Sequence, residues 1–225
     1  MGILVRTALT AAALLAASVA LHADQGAWGG QVGAVQPTGG SKQWVNSTAG
    51  PSLDIFETFP LTSDDFVRMR FGYWDTKSST GFTQQIILPG SAAPGTFPAS
   101  TTSELYGFSY GAEYLRNLPG RTFVFGGLGV TYLTADRSGT FDLTSAGYAS
   151  ANTSFSANNF VPYLTAGAGF RISRAVDLEV RWQTATLKAQ NRNLDLSSAG
   201  FSQPGVAIVD KLTVSTLTIG LTVNF

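Results

Sequence analysis

From Leu217 to the end of the chain, apolar and polar positions alternate without a break. Leu217, Ile219, Leu221, Val223 and Phe225 fall on one side, Thr218, Gly220, Thr222 and Asn224 on the other. A period of two puts successive side chains on opposite faces of a strand. Eight such segments can be drawn, near 25–36, 51–60, 66–76, 103–116, 121–135, 159–172, 175–188 and 211–225. Most reach the ~9–11 residues that a tilted strand needs to cross a bilayer. Three gaps between them are short: Leu61 to Asp65, Asn117 to Gly120 (Asn-Leu-Pro-Gly, a turn sequence), and Ser173-Arg174. Four are long: Pro37 to Gly50, Lys77 to Thr102, Asp136 to Asn158, and Ala189 to Asp210. Short and long gaps alternate strictly. That is the layout of an up-and-down barrel with tight turns on one rim and loops on the other.

The alternation also assigns faces. Val67, Met69, Phe71 and Tyr73 oppose Arg68, Arg70, Gly72 and Trp74 in the third segment, and Tyr106, Phe108, Tyr110 and Tyr114 oppose Gly107, Ser109, Gly111 and Glu113 in the fourth. In the sixth, Leu164, Ala166, Ala168 and Phe170 oppose Thr165, Gly167, Gly169 and Arg171. In the seventh, Val176, Leu178, Val180 and Trp182 oppose Asp177, Glu179, Arg181 and Gln183. The second segment fits less well, since Glu57 shares a face with Leu53, Ile55 and Phe59, and is placed at a rim. The fifth is ambiguous around Phe123 and Phe125. Periodicity alone does not say which face points inward, and a soluble lipocalin-type barrel, suggested by Gly26-Ala27-Trp28, has its apolar face inside. The charges decide: Glu179 and Arg181 suit a polar lumen and not a greasy pocket.

Residues 1–23 have the three parts of a secretory signal: Arg6, the apolar run from Ala8 to Ala20, and a small residue, Ala23, before a cut at Asp24. Residues 24–225 then form one barrel domain. This mature chain has no cysteine, and its only histidine, His22, is lost with the signal. Removing Arg6 leaves 13 Lys+Arg against 14 Asp+Glu, a net charge of −1 that gives no reason to expect nucleic acid. Charged residues are 12% of the chain, about half of the ~25% usual for soluble domains. No later apolar run is long enough for a helical span, so a membrane crossing requires a closed barrel.

With these residues in place, the chain resembles the small eight-stranded outer-membrane barrels, the OmpA-like and opacity-type group. The stretch from Val161 to Trp182 is similar to that group's penultimate hairpin: alternating glycines, an arginine before a tight turn, then an amphipathic strand. Thr218, Gly220, Val223 and Phe225 are similar to the terminal signal read by the barrel-assembly machinery, with Val223 standing where the group often has an aromatic. The resemblance implies an all-β antiparallel transmembrane barrel in the bacterial outer membrane, with short periplasmic turns and four long extracellular loops. Outer-membrane lipid and the assembly machinery are the partners it implies.

Chemistry along the mature chain is sparse. Without histidine or cysteine there is no imidazole base and no thiol nucleophile, and no catalytic, cofactor or metal residue is assigned. Gly126-Gly127-Leu128-Gly129 and Gly167-Ala168-Gly169 read as small inward positions, and Asp64-Asp65 as turn residues. Counted from the turns, Arg68, Arg70, Glu113, Arg171, Asp177, Glu179 and Arg181 point into the lumen near the turn rim, and Asp54 joins them. Four bases and four acids in a lumen that eight strands leave narrow predict an ion-paired plug. The expected role is structural or surface-interacting, the alternative a narrow channel or transporter for ions or small hydrophobic solutes. Apolar residues in the long gaps, among them Phe82, Ile87, Leu88, Phe97, Leu143, Leu194 and Phe201, are expected to pack on one another or to form a mouth for a surface ligand.

Overall fold

Alternation becomes eight strands in the computed structural model, which describes residues 27–46, 48–86, 95–188 and 211–225. In chain order they are β1 (Ala27–Thr38), β2 (Gly50–Pro60), β3 (Asp65–Ile86), β4 (Gly95–Asn117), β5 (Thr122–Phe141), β6 (Ala151–Arg171), β7 (Val176–Lys188) and β8 (Lys211–Asn224). Each pairs antiparallel with its sequence neighbours, and β1 pairs with β8 to close the ring. The expected signal at residues 1–23 and the whole of the last long gap, Ala189 to Asp210, lie outside the described residues.

Three tight turns gather on one rim. Leu61 N–H donates to the Asp65 carbonyl (2.8 Å), Leu118 N–H to that of Thr122 (2.9 Å) and Ile172 N–H to that of Val176 (2.9 Å). Gly120 takes φ 94° in the second turn, a left-handed conformation that glycine adopts without a Cβ penalty. Both ends of the barrel meet here as well, Phe225 N–H donating to the Trp28 carbonyl (2.8 Å).

β3 to β6 run farther than the alternation predicts. Their ladders continue through Lys77↔Glu104 and Glu104↔Asp136 to Ile86↔Gly95 and Phe141↔Ala151. Much of the second and third long gaps is therefore strand. The reason lies in composition: from Thr76 to Gln85 nearly every residue is polar or glycine, so both faces of the strand look alike and no period shows. Across Thr76 to Ile86 the chain advances roughly 35 Å at strand rise. β2 last pairs with β3 at Ser52↔Trp74, and β7 with β6 at Tyr163↔Ala185. A four-stranded sheet thus rises past the rest of the ring.

The outer surface is banded. Val32, Phe71, Tyr110, Leu128, Leu164, Ile219 and Leu221 are exposed upon it. Its upper limit on β3–β6 is one row of rings, Tyr73↔Phe108↔Tyr132↔Phe160, with centroids 4.8 Å apart for the first pair and 5.0 Å for the last. The next rows are Asp75↔Tyr106↔Thr134↔Asn158 and Lys77↔Glu104↔Asp136↔Ser156. Polarity therefore changes within one step of the pleat.

Inside, the barrel is layered. Near the turn rim Leu115, Phe123 and Phe125 pack together with Phe66. Above them sits a layer of charge. Toward the loop rim the filling is apolar: Val35, Trp74, Leu105, Leu133, Leu187 and Val214 belong to one buried cluster. A short helix, α1 (Gly40–Trp44), follows β1. The hydroxyl of Ser41, which begins its first turn, accepts the Ser215 N–H (3.2 Å), and just after the helix Val45 drops fully buried into the apolar cluster.

Candidate functional site

The charged layer is built by strand parity. Arg68 and Arg70 are two apart on β3, Glu179 and Arg181 two apart on β7, so each pair shares the inner face. Glu113 enters from β4, directly across from Arg68, and Asp54 from β2, directly across from Gly72. Glycine at 72 is what lets Asp54 lie inward, since a Cβ there would meet the carboxylate at 2.0 Å.

Glu179 is the hub. Its two oxygens accept from Arg68 Nη1 (2.6 Å) and Nη2 (3.1 Å), a bidentate fork. Arg181 Nη2 donates to the same carboxylate at 3.4 Å, and Gln31 Nε2 at 3.4 Å. Glu113 accepts from Arg68 Nε (2.8 Å) and Arg181 Nη2 (3.2 Å). Arg70 donates to Asp54 (2.6 Å) and to the side-chain amide oxygen Oε1 of Gln31. Arg68, Glu113 and Glu179 are at most 2% exposed. Three guanidinium groups and three carboxylates make the set neutral.

Aromatic faces hold the arginines from the sides. The Arg68 guanidinium lies 4.8 Å from the Phe56 ring centroid and 5.0 Å from that of Phe125, and Arg181 lies 4.9 Å from Phe125. Such stacking suits arginine's planar, weakly hydrated head. Phe123 and Phe125 thus point inward, and the glycines of β6 make room for them. A Cβ at Gly167 would meet Phe125 at 2.3 Å and one at Gly169 would meet Phe123 at 2.1 Å.

Of the eight residues expected in one cluster, six meet. Arg171 and Asp177 do not join them. Arg171 is exposed at the rim and donates to Asn117 Oδ1 (2.7 Å). Asp177 faces inward but accepts from Asn224 Nδ2 (2.9 Å). Parity gave both the right face. Their height is what differs, because each stands at the strand end beside the β6–β7 turn, below the layer in which the six meet. In the terminal strand, Thr218 and Gly220 face inward, Gly220 against the Gln31 side chain, and Val223 and Phe225 are exposed outside.

Several participants were not singled out from sequence. Gln31 and Phe56 are central, yet β1 has no charged residue to mark its inner face and β2 fits its alternation poorly. The apolar layer above the charges was missed although its parity was available: stepping by twos from Glu113 leads through Ser109 to Leu105. Among the loop residues expected to pack, Phe97 and Leu143 are buried, whereas Phe82 is exposed. Ile87, Leu88, Leu194 and Phe201 lie outside the described residues.

No protein-family model matches the sequence, and no curated protein does. Solved structures do match in shape. One is Ail, the attachment invasion locus protein of Yersinia pestis, at 14% identity over 90% of this chain and 100% of that one, TM-score 0.46. Neisserial surface protein A is similar at 11% identity over 89% and 97%, TM-score 0.42. CarO of Acinetobacter baumannii is similar at 13% over 87% and 97%, TM-score 0.39. These are small eight-stranded outer-membrane barrels. The fold of this chain, an eight-stranded antiparallel up-and-down barrel, follows from its own closed set of ladders.

Proposed function

We propose that the protein is an outer-membrane barrel with a sealed lumen that acts at the cell surface through the sheet raised by β3–β6. The observation that carries this reading is the aromatic row from Tyr73 to Phe160. Below it the exterior is apolar, as a surface in hydrocarbon requires. Above it the same strands continue, paired and polar on their outer face. A membrane boundary accounts for that change, and aromatic girdles stand at such boundaries. The turn rim then faces the periplasm.

Sealing follows from the filling. The ionic layer and the apolar layer occupy successive heights of the lumen, and a narrow eight-stranded barrel leaves little else. The carboxylates of the charged layer, Asp54, Glu113 and Glu179, are committed to guanidinium partners, which favours a structural role for them over catalysis. For the raised sheet, among the described residues no ladder runs along the β2-facing edge of β3 beyond Trp74 or along the β7-facing edge of β6 before Tyr163. Open edges of this kind can accept an extended strand from a partner.

A second reading, a gated ion path, draws on one observation. Arg70 Nε and Nη1 and Arg181 Nε make no hydrogen bond among the described residues. These donors give the cluster room to exchange partners. One pair of measurements tests both readings. Cysteines placed at Ser79 and Ser156 should react with an impermeant maleimide on intact cells, and one at Ser63 should not. In planar bilayers the folded protein should show no stable conductance steps. Labelling at Ser63 would overturn the orientation, and steps that vanish in Glu179→Ala would establish the ion path instead.

A further inference from the structure

We propose that the turn-rim mouth of the barrel is a blind pocket for an anionic amphiphile, a single acyl chain bearing a carboxylate or a phosphate. The mouth encloses a cavity of about 590 Å³, within the range of small-molecule sites. Its floor is Arg68, whose fork is taken up by Glu179 and whose Nε is bound to Glu113. A ligand entering from this side meets a closed layer and goes no farther, and Arg68 has no charge to spare for it.

The walls divide by chemistry. Leu115 and Phe123, both buried, form an apolar lining with Ile172, which is half exposed. At the lip stand Arg121, Arg171 and Arg174. Among the described residues none of these three belongs to an ion pair within 4 Å, and the hydrogen bond of Arg171 goes to the neutral Asn117 amide. The one lining carboxylate, Asp177, is held by Asn224. Three arginines against one acid leave the lip with a net positive charge. Guanidinium forks match carboxylate and phosphate oxygens. Charge at the lip and hydrocarbon below it match the two ends of one molecule, head outward and chain inward. This site lies at the opposite end from the raised sheet and does not depend on that sheet's role.

The test uses the folded protein in phosphatidylcholine nanodiscs with three photo-crosslinking probes: diazirine-bearing dodecanoate, dodecyl phosphate and dodecyl trimethylammonium. Mass spectrometry should place crosslinks from the anionic probes at Leu115, Phe123 and Ile172, about tenfold above the cationic probe. Labelling by the carboxylate alone points to a fatty acid, and labelling by the phosphate alone to a lysophospholipid-type head. Neutralising the lip with Arg121→Gln, Arg171→Gln and Arg174→Gln together should remove most of it. Thr58→Trp, which adds bulk to the lining without changing charge, should do the same. If the triple variant fails to fold, Arg174→Gln in the exposed turn serves in its place. Equal labelling by all three probes, labelling confined to the outer belt, or labelling unmoved in the folded variants would overturn the proposal. Because folding in the nanodisc is scored separately by heat-modifiable migration, failure here leaves the membrane assignment standing.

Discussion

Glu179 ties together three arginines from two strands, and the neighbouring Glu113 is already bound to Arg68 and Arg181. Replacing it by glutamine keeps the volume and leaves three guanidinium groups facing two carboxylates. Breaking a buried pair in this way costs ~3–5 kcal/mol, because a charge is left unmatched. Glu179→Gln should therefore lower the unfolding free energy by about that amount, read from denaturant unfolding in lipid vesicles by tryptophan fluorescence. The paired change Glu179→Leu with Arg68→Met should recover part of the loss, since it removes one charge of each sign. A loss in the double variant equal to the sum of the losses in Glu179→Leu and Arg68→Met alone would mean that the two side chains are not coupled. The charged members of this layer were legible because strand parity needs only the turn positions to start counting. Gln31 and Phe56 were not, because nothing in a glutamine or a phenylalanine announces that an arginine will lie against it. The heights of Arg171 and Asp177 were not legible either. Parity fixes a face, while height depends on the shear of the closed ring, which pairs β7 with β8 and β8 with β1 in registers that no local pattern states.

At the scale of the element, large inward side chains are matched to glycines on the neighbouring strand. Phe125 and Phe123 of β5 occupy the space over Gly167 and Gly169 of β6, and Trp74 of β3 that over Gly107 of β4, where a Cβ would come within 2.8 Å of the indole nitrogen. Glycine alternation therefore marks the inner face and the places where aromatics cross it. Gly167→Ala should force Phe125 off its contacts with Arg68 and Arg181 and destabilise the barrel by about 1–3 kcal/mol. Gly126→Ala is the control: it faces outward, where the nearest atom to a new Cβ is 3.8 Å away. Its thermal midpoint should stay near that of the parent. A matching fall in both variants would show that the cost lies in the glycine backbone and not in the aromatic packing. The same period that located the lower halves of β3–β6 failed in their upper halves. A strand in water on both faces has no need of alternation, and its ladder is set by the hairpin below it. Replacing residues 79–102 by a short Asn-Gly turn should accordingly leave the barrel folded, with unchanged heat-modifiable migration, because the rows from Phe66↔Leu115 to Ser78↔Ser103 remain.

Over the whole molecule, one strand closes the ring and ends the chain. β8 pairs with β7 on one side and β1 on the other, and the last residue still contributes, through the bond from Phe225 N–H to the Trp28 carbonyl. Its ring is 60% exposed on the outer face, in line with Ile219, Leu221 and Val223. Two roles can be separated for it. As a seam, it supplies one hydrogen bond, with a net worth of ~1 kcal/mol, and an aromatic at the turn-rim boundary. If the assembly machinery reads it, as the resemblance of the terminal strand implies, it matters only in the cell. Deleting Phe225 should reduce the amount of protein in purified outer membranes severalfold while refolding into vesicles from denaturant proceeds to nearly the parental yield. Phe225→Trp should keep both, and Phe225→Ala should keep refolding alone. A loss of refolding in step with the loss in cells would assign the residue to the seam. Normal outer-membrane levels after deletion would count against the assembly role proposed for Thr218, Gly220, Val223 and Phe225 together, because those four inward and outward positions act as one signal only if the terminal aromatic is read.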